Sequence, residues 1–141
     1  MTASRISTSE ALALQLKKLG VECVFGLMSD ETAALLASVD AAGIRFVRAR
    51  HENNAMAMAE GYASARGCLG VAILGRGPAT ANALHGIMAA QKAGGRVLVL
   101  LGADRARPTS PNGLGPDYKG MDQIGVLHAA NVPHMVADDP E

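Results

Sequence analysis

Short apolar segments alternate with segments of helical periodicity along most of the chain, and this alternation constrains the fold more than any other feature. Each apolar segment is long enough for one strand and is followed by glycine or arginine. Strands are predicted over residues 21–25, 44–49, 69–74 and 96–101. Parallel neighbours are joined by crossovers that are usually helical. The sequence therefore predicts an α/β fold, a three-layer sandwich with a mostly parallel central sheet and helices on both faces.

The segments between these strands carry helix signals. Ser7 and Glu10 have the spacing of a capping box, and Gly20 supplies a C-terminal stop after a first helix. Three crossover helices are predicted over residues 30–43, 53–66 and 78–93. Strands and helices thus alternate along most of the chain.

The composition changes after Gly102. Repeated proline and glycine predict a long surface loop, followed by a short helix over residues 122–131 and a last strand over 134–137. Asp139-Pro140-Glu141 then combines a capping side chain, a proline and an acid, as at the start of a helix. We therefore expect residues 1–141 to form a single domain that is one part of a longer or multi-subunit protein.

Composition and charge argue against several functions. Thirteen Lys+Arg balance thirteen Asp+Glu, which gives no electrostatic reason to expect nucleic acid or an anionic membrane as partner. Aromatic residues make up only 3%, so the stacking platforms of single-strand binding are lacking. No apolar stretch approaches the roughly 20 residues of a membrane span. Cys23 and Cys68 lie in apolar surroundings and are expected to be reduced thiols, which favours a cytoplasmic location.

Ligands of an open parallel sheet collect outside the carboxyl ends of its strands, so the residues that follow each strand are the candidates. The turn from Gly75 to Pro78 resembles a phosphate-binding loop because glycine lets the backbone approach a ligand. However, the third glycine of the dinucleotide pattern is missing, and Pro78 has no N–H to donate. These departures count against a nucleotide site, and a tight turn without a ligand is the alternative.

Glu52 directly follows the second predicted strand, where a side chain can face the crevice. A carboxylate there can act on a ligand, or it can be a favourable charge at a helix N-terminus. The residues alone leave both interpretations open. The four histidines lack metal-ligand spacing, so we expect no metal site within the chain; they are His51, His85, His128 and His134.

Several loop motifs occur together in one order and spacing. They are Val24-Phe25-Gly26, Arg50-His51-Glu52-Asn53-Asn54-Ala55, Met58-Ala59-Glu60-Gly61-Tyr62-Ala63 and Gly75-Arg76-Gly77-Pro78-Ala79-Thr80-Ala81-Asn82-Ala83. In this combination the chain resembles the pyrimidine-binding (N-terminal) domain of thiamine-diphosphate-dependent enzymes, most closely the acetolactate synthase and 2-oxo acid decarboxylase group. The resemblance covers residues 6–136, which is nearly the whole chain.

The resemblance implies a catalytic role for Glu52. In the family this glutamate hydrogen-bonds a pyrimidine ring nitrogen of thiamine diphosphate and favours the imino tautomer. The exocyclic nitrogen then takes the proton from the thiazolium carbon, which attacks a 2-oxo acid. The implied function is therefore decarboxylation or carboligation of a 2-oxo acid. The resemblance also implies a set of cofactor-binding residues, namely Gly26, Leu27, Met28, Gly77, Pro78 and Asn82.

Two positions depart from the family pattern in a way that affects the substrate. Arg76 stands where relatives often have serine, and Lys119 where they often have glutamine. The two cations are either ligands of a small anionic 2-oxo acid substrate or solvated surface charges.

The resemblance further implies partners. The family holds the diphosphate and Mg2+ with a Gly-Asp-Gly motif of a second domain, and this sequence contains no such motif. We therefore expect a diphosphate-binding domain or subunit and a dimer or tetramer. A non-catalytic interaction or regulatory module of the same fold is the alternative.

Overall fold

A computed structural model of the protein describes residues 6–103 and 119–137. Helices and strands follow one another in the predicted alternation. They are α1 (Thr8–Lys18), β1 (Cys23–Gly26), α2 (Ala33–Ala41), β2 (Arg45–Arg48), α3 (Glu52–Arg66), β3 (Gly70–Leu74), α4 (Pro78–Lys92), β4 (Val97–Leu101) and α5 (Gln123–Ala129). The four strands pair in parallel in the order β2-β1-β3-β4. The predicted α/β class, with a parallel central sheet between helices, is confirmed.

Alternating side chains of the central strands build a core on each face of the sheet. On β1, Val24 lies in the core that contains Leu16 of α1 and Val39 of α2. Phe25 lies in the opposite core, with Met56 of α3 and other residues of α4 and α5. Because successive side chains of a strand point to opposite faces, the same four-residue strand contributes to both layers. Both central strands are fully buried, as expected for a parallel sheet covered on two sides.

The strand order places a topological switch point between β1 and β3. β1 is followed by α2 on one face of the sheet, whereas β3 is followed by α4 on the other face. The loops after β1 and β3 therefore diverge at the carboxyl edge of the sheet. A crevice of this kind is where open α/β sheets bind their ligands.

Two predicted elements differ from the structure. The helix predicted from residue 30 begins at Ala33, because Thr32 first closes a turn by accepting a hydrogen bond from the Ser29 N–H at 3.1 Å. The strand predicted over residues 134–137 is wrong. These residues have no strand pairing, and Met135 is 94% exposed. A strand needs a neighbour for its backbone hydrogen bonds, and apolar side chains alone do not supply one.

Other sequence predictions concern the loop over residues 104–118 and the helix start at residues 139–141, which lie outside the described residues. Cys23 and Cys68 are free thiols, the former buried and the latter half-buried. In the described part of the chain, no helix has the length and apolar character needed to cross a membrane.

Candidate cofactor site

Glu52 is the first residue of α3 and lies at the carboxyl edge of the sheet, directly after β2. The preceding residue, His51, is the N-cap of the helix. Its backbone is extended, and its Nδ1 atom accepts a hydrogen bond from the Asn53 N–H at 3.2 Å. A neutral ring with an unprotonated Nδ1 is required for this contact. The cap fixes the first turn of α3 and with it the place of Glu52.

Glu52 as a whole is half-buried, and its carboxylate accepts a hydrogen bond from a side chain of the neighbouring helix. The Asn82 Nδ2 atom of α4 donates to the Glu52 Oε2 atom at 3.0 Å, although the two residues lie 30 positions apart. This hydrogen bond joins the start of α3, which comes after β2, to α4, which comes after β3. The structure brings together two residues that the sequence predicted for the site.

The turn at Gly77 packs tightly against the segment that leads into α5. Gly77 has a positive φ of 59°, and a Cβ atom there would overlap the backbone carbonyl of Lys119. Its N–H donates to the Oε1 atom of Gln123 at 2.9 Å. The next residue, Pro78, starts α4 and has no N–H, while the Thr80 N–H already bonds back to Gly77. A phosphate-binding turn presents free N–H groups, so this geometry argues against the nucleotide interpretation.

The loop after β1 supplies three further predicted residues. A Cβ atom on Gly26 would overlap the carbonyl oxygen of Ile73 in β3, so glycine is required here for the close approach of two strands. Leu27 is half-buried and packs against the core on the α3 and α4 side. Met28 is 66% exposed. The structure therefore places Gly26 and Leu27 at the switch point, whereas most of the Met28 side chain extends into solvent.

Arg76 and Lys119 lie together at the same edge and share one carboxylate. The Arg76 Nε atom is 3.1 Å and the Lys119 Nζ atom 2.8 Å from the Oε1 atom of Glu31. The side chains of Arg76 and Lys119 are only 14% and 23% exposed. The interpretation of both residues as solvated surface charges is therefore wrong.

Sequence reasoning missed Glu31, which lies in the loop between β1 and α2. Burial opposes ionisation of this carboxyl, but hydrogen bonds from Lys119, the backbone of Glu31, Ser29 and Arg76 outweigh it and lower its pKa to about 2. Glu31 is therefore ionised at neutral pH. The sequence signal was weak, because Glu31 and Arg76 follow β1 and β3 whereas Lys119 lies much further along the chain, in the segment before α5.

An open groove of about 260 Å³ lies between α3 and α4. Its lining includes Asn53 and Met56 of α3 and His85 and Gly86 of α4. The Asn53 Oδ1 and His85 Nδ1 atoms lie 3.3 Å apart and connect the two helices. No group of three or more histidine, cysteine, aspartate or glutamate residues within ranges 6–103 and 119–137 is arranged to hold a metal ion.

The fold and these contacts define a parallel α/β domain whose candidate ligand groups meet at a topological switch point. Residues 6–131 match the family model described as the N-terminal TPP binding domain of thiamine pyrophosphate enzymes. The chain belongs to this family, as the loop motifs predicted.

Individual relatives agree with this assignment. The chain is 35% identical to the acetolactate synthase large subunit of Lactococcus lactis, with 94% of this chain and 24% of the relative covered. It is 37% identical to bovine 2-hydroxyacyl-CoA lyase 2, over 72% of this chain and 16% of the relative. A probable 2-ketoarginine decarboxylase of Pseudomonas aeruginosa is 38% identical over 55% of this chain and 14% of the relative. The chain spans about a quarter or less of the length of these proteins.

Proposed function

We propose that this chain holds the pyrimidine ring of thiamine diphosphate in an enzyme that decarboxylates or carboligates a 2-oxo acid. Membership of the thiamine pyrophosphate enzyme family supports the cofactor. The observation that carries the proposal for this site is the hydrogen bond between Asn82 and Glu52 at the carboxyl edge. It holds an acid in the crevice where this fold binds ligands, with one carboxylate oxygen fixed.

The residues present fit an aminopyrimidine. Glu52 provides a carboxyl group that can exchange a proton with a ring nitrogen, and the Asn82 Nδ2 atom donates to its Oε2 atom. When bound, thiamine diphosphate supplies the nucleophilic carbon and the electron sink that decarboxylation requires. Because Glu52 is half-buried, its hydrogen bond to a bound ring would compete less with water.

The remaining predicted residues form the walls of the proposed site. Gly26 and Gly77 keep the two diverging loops free of side chains where backbone packs on backbone. Leu27 and Pro78 offer apolar surface to a flat ring, and Met28 extends beyond them from the same loop. Shape and apolar contact place the ring, while Glu52 supplies the polar recognition.

We further propose that Arg76 and Lys119 attract a small anionic 2-oxo acid. Glu31 holds both cations in place at the carboxyl edge, beside the loops proposed to line the cofactor site. This proposal predicts that Arg76→Ala and Lys119→Ala each raise the KM for the 2-oxo acid more than the KM for thiamine diphosphate. Unchanged kinetic constants for every anionic substrate would remove both residues from the substrate site.

Mg2+ needs a set of ligand groups, and the described residues form no cluster of three or more histidine, cysteine, aspartate or glutamate side chains that could hold it. We propose that a diphosphate-binding domain or subunit supplies these groups, and that the enzyme is a dimer or tetramer. We also propose a cytoplasmic location, which agrees with two free thiols.

The experiment that tests the proposal replaces Glu52 in the complete enzyme that contains this chain. Glu52→Gln keeps the shape of the side chain but removes proton exchange, so turnover is expected to fall by at least about 100-fold. Glu60→Gln is the matched control, because Glu60 lies on the same helix about two turns away and is also half-buried. The control is expected to keep turnover within about twofold.

The initial rate of carbon dioxide release or of carboligation at saturating thiamine diphosphate is the measurement. Near wild-type turnover of Glu52→Gln, with cofactor-dependent activity in the unmodified enzyme, would contradict the role of Glu52. Cofactor binding without turnover in any variant would instead favour the non-catalytic module.

A further inference from the structure

One side chain at the start of α5 joins three parts of the carboxyl edge. The Gln123 Oε1 atom accepts a hydrogen bond from the Gly77 N–H at 2.9 Å and a longer one from the Thr80 hydroxyl at 3.4 Å. The Nε2 atom of the same amide donates to the carbonyl oxygen of Gly102 at 3.0 Å. Gln123 therefore connects the Gly77 turn, the first turn of α4 and the residue that follows β4.

The start of α4 depends on this outside acceptor. In a capping box, a glutamate or glutamine at the third helical position accepts the N–H of the N-cap residue. Here the N-cap is Gly77 and the third helical position is Thr80, whose short side chain does not supply that contact. Gln123 takes the same role from another element. Gly77 and Thr80 are both buried, so water does not replace a lost partner.

The same turn determines where Asn82 lies. Asn82 follows Pro78, the first residue of α4, by about one helical turn, and its Nδ2 atom holds Glu52 at 3.0 Å. Gly77 itself has the conformational freedom of a residue without Cβ, so its positive φ must be fixed by its contacts. A change in the Gly77 turn therefore shifts the start of α4, and with it the donor that orients the Glu52 carboxylate.

We propose that Gln123 is a positioning residue that fixes the Gly77 turn and, through α4, holds Asn82 against Glu52. The effect on cofactor affinity rests on the proposed function, whereas the effect on the turn does not. Gln123 touches neither Glu52 nor Asn82 directly and acts through the hydrogen bonds to Gly77 and Thr80.

The test compares Gln123→Met with Gln91→Met in the complete protein. Methionine preserves the approximate size of glutamine and removes the amide. Gln91 is the matched control because its Nε2 atom also ties α4 to the chain beyond α5, through the Asn131 carbonyl at 3.0 Å, but at the far end of α4. Hydrogen exchange followed by mass spectrometry on residues 75–82 is expected to become about tenfold faster in Gln123→Met. The control is expected to leave the exchange of this segment unchanged.

The second readout is the dependence of the rate on thiamine diphosphate concentration. Gln123→Met is expected to raise the KM for the cofactor about tenfold and to keep kcat at saturating cofactor within about twofold. A purely structural role would lower the active fraction, and so kcat, without raising that KM. If Gln123→Met does not fold, Gln123→Asn, which keeps the amide but shortens its reach by one carbon, replaces it in both measurements.

The outcomes distinguish the proposed role of Gln123 from the proposed function in thiamine diphosphate binding. Unchanged exchange over residues 75–82 would overturn the role of Gln123 in fixing the turn. Faster exchange with an unchanged KM would overturn its role in positioning the cofactor site. Absence of thiamine-diphosphate-dependent activity in the unmodified enzyme would overturn the proposed function, and the exchange measurement would still decide whether Gln123 fixes the turn.

Discussion

The two edges of the sheet use the same kinds of residue for different purposes, and glycine shows this most directly. At the amino edge, Gly20, Gly67 and Gly94 have positive φ angles between the helices and the strands that follow, and a Cβ atom on any of them would meet nothing within 4 Å. At the carboxyl edge, a Cβ atom on Gly26 or Gly77 would overlap backbone. The three glycines that follow helices at the amino edge serve local chain direction, whereas Gly26 and Gly77 at the carboxyl edge permit close packing of distant segments.

Ion pairs differ between the two edges in the same way. At the amino edge, Arg66 lies 3.2 Å from Glu22, with the two side chains 58% and 68% exposed. At the carboxyl edge, Glu31 is 13% exposed and pairs with two cations from other loops. Exposed pairs contribute little to stability because water screens them, whereas shielded pairs are costly to break. Of these pairs, those at the carboxyl edge are therefore the ones whose loss should change stability more.

The largest expected difference in the free energy of unfolding is between a glycine-to-alanine substitution at the carboxyl edge and one at the amino edge. Gly26→Ala drives a Cβ atom into the Ile73 carbonyl and should lower the free energy of unfolding by about 3 kcal/mol or more, because backbone has to move. Gly67→Ala has open space around it and is strained only by its φ of 63°, so it should lose about 1 kcal/mol. Urea unfolding of both variants measures the difference, and equal losses would contradict the distinction between the edges.

A smaller effect on the free energy of unfolding is expected as pH falls, and it should differ between Glu31 at the carboxyl edge and Glu22 at the amino edge. Because the pKa of Glu31 is lower in the folded chain than its usual value of 4.5, its ionised form contributes fully above about pH 4.5. That contribution is lost as pH falls toward the folded value of about 2 and should amount to about 2 kcal/mol after allowance for its remaining exposure. In Glu31→Gln, the free energy of unfolding should therefore depend less on pH between about 2 and 4.5.

The control for the pH measurement is Glu22→Gln at the amino edge. Its exposed pair with Arg66 should change stability by less than about 0.5 kcal/mol. Urea midpoints measured at several pH values between 2 and 6 provide the comparison. An acid-induced loss in Glu31→Gln as large as in the unmodified protein would show that other groups cause it.

The smallest expected effect concerns the helix cap beside Glu52. His51→Ala removes the acceptor of the Asn53 N–H and should cost about 1 kcal/mol, whereas His51→Asn keeps a capping side chain and should cost only a few tenths. Thermal unfolding at neutral pH distinguishes the two variants. If both lose the same stability, the ring of His51 stabilises the protein by packing rather than by capping.

Much of the fold was predictable because its signals are local. The capping box of Ser7 and Glu10 forms as predicted, with the Glu10 Oε2 atom accepting from the Ser7 N–H at 2.7 Å. The buried strand β3 is a continuous apolar run, as is the partly exposed edge strand β4, so both were also visible in the sequence. The strand predicted over residues 134–137 failed because pairing requires a neighbour, and apolar character does not reveal one.

The site was predictable only in part. Glu52, Gly77 and Asn82 were predicted from the family motifs; the structure shows the hydrogen bond that joins Asn82 to Glu52, and the functional roles of the three residues stay predictions. Glu31 and Gln123 were missed because their roles depend on partners far away in sequence. Lys119 contacts Glu31 across 88 positions, and no periodicity in the sequence encodes that contact.

The bond from Gln123 to Gly77 spans 46 positions and has a consequence for how the site is assembled during synthesis. A growing chain has all four strands and both helices beside Glu52 before residue 123 is added. The sheet can therefore pair while the Gly77 turn still lacks its acceptor. Any event that detaches the α5 segment from an otherwise folded domain would return the site to that earlier, looser condition.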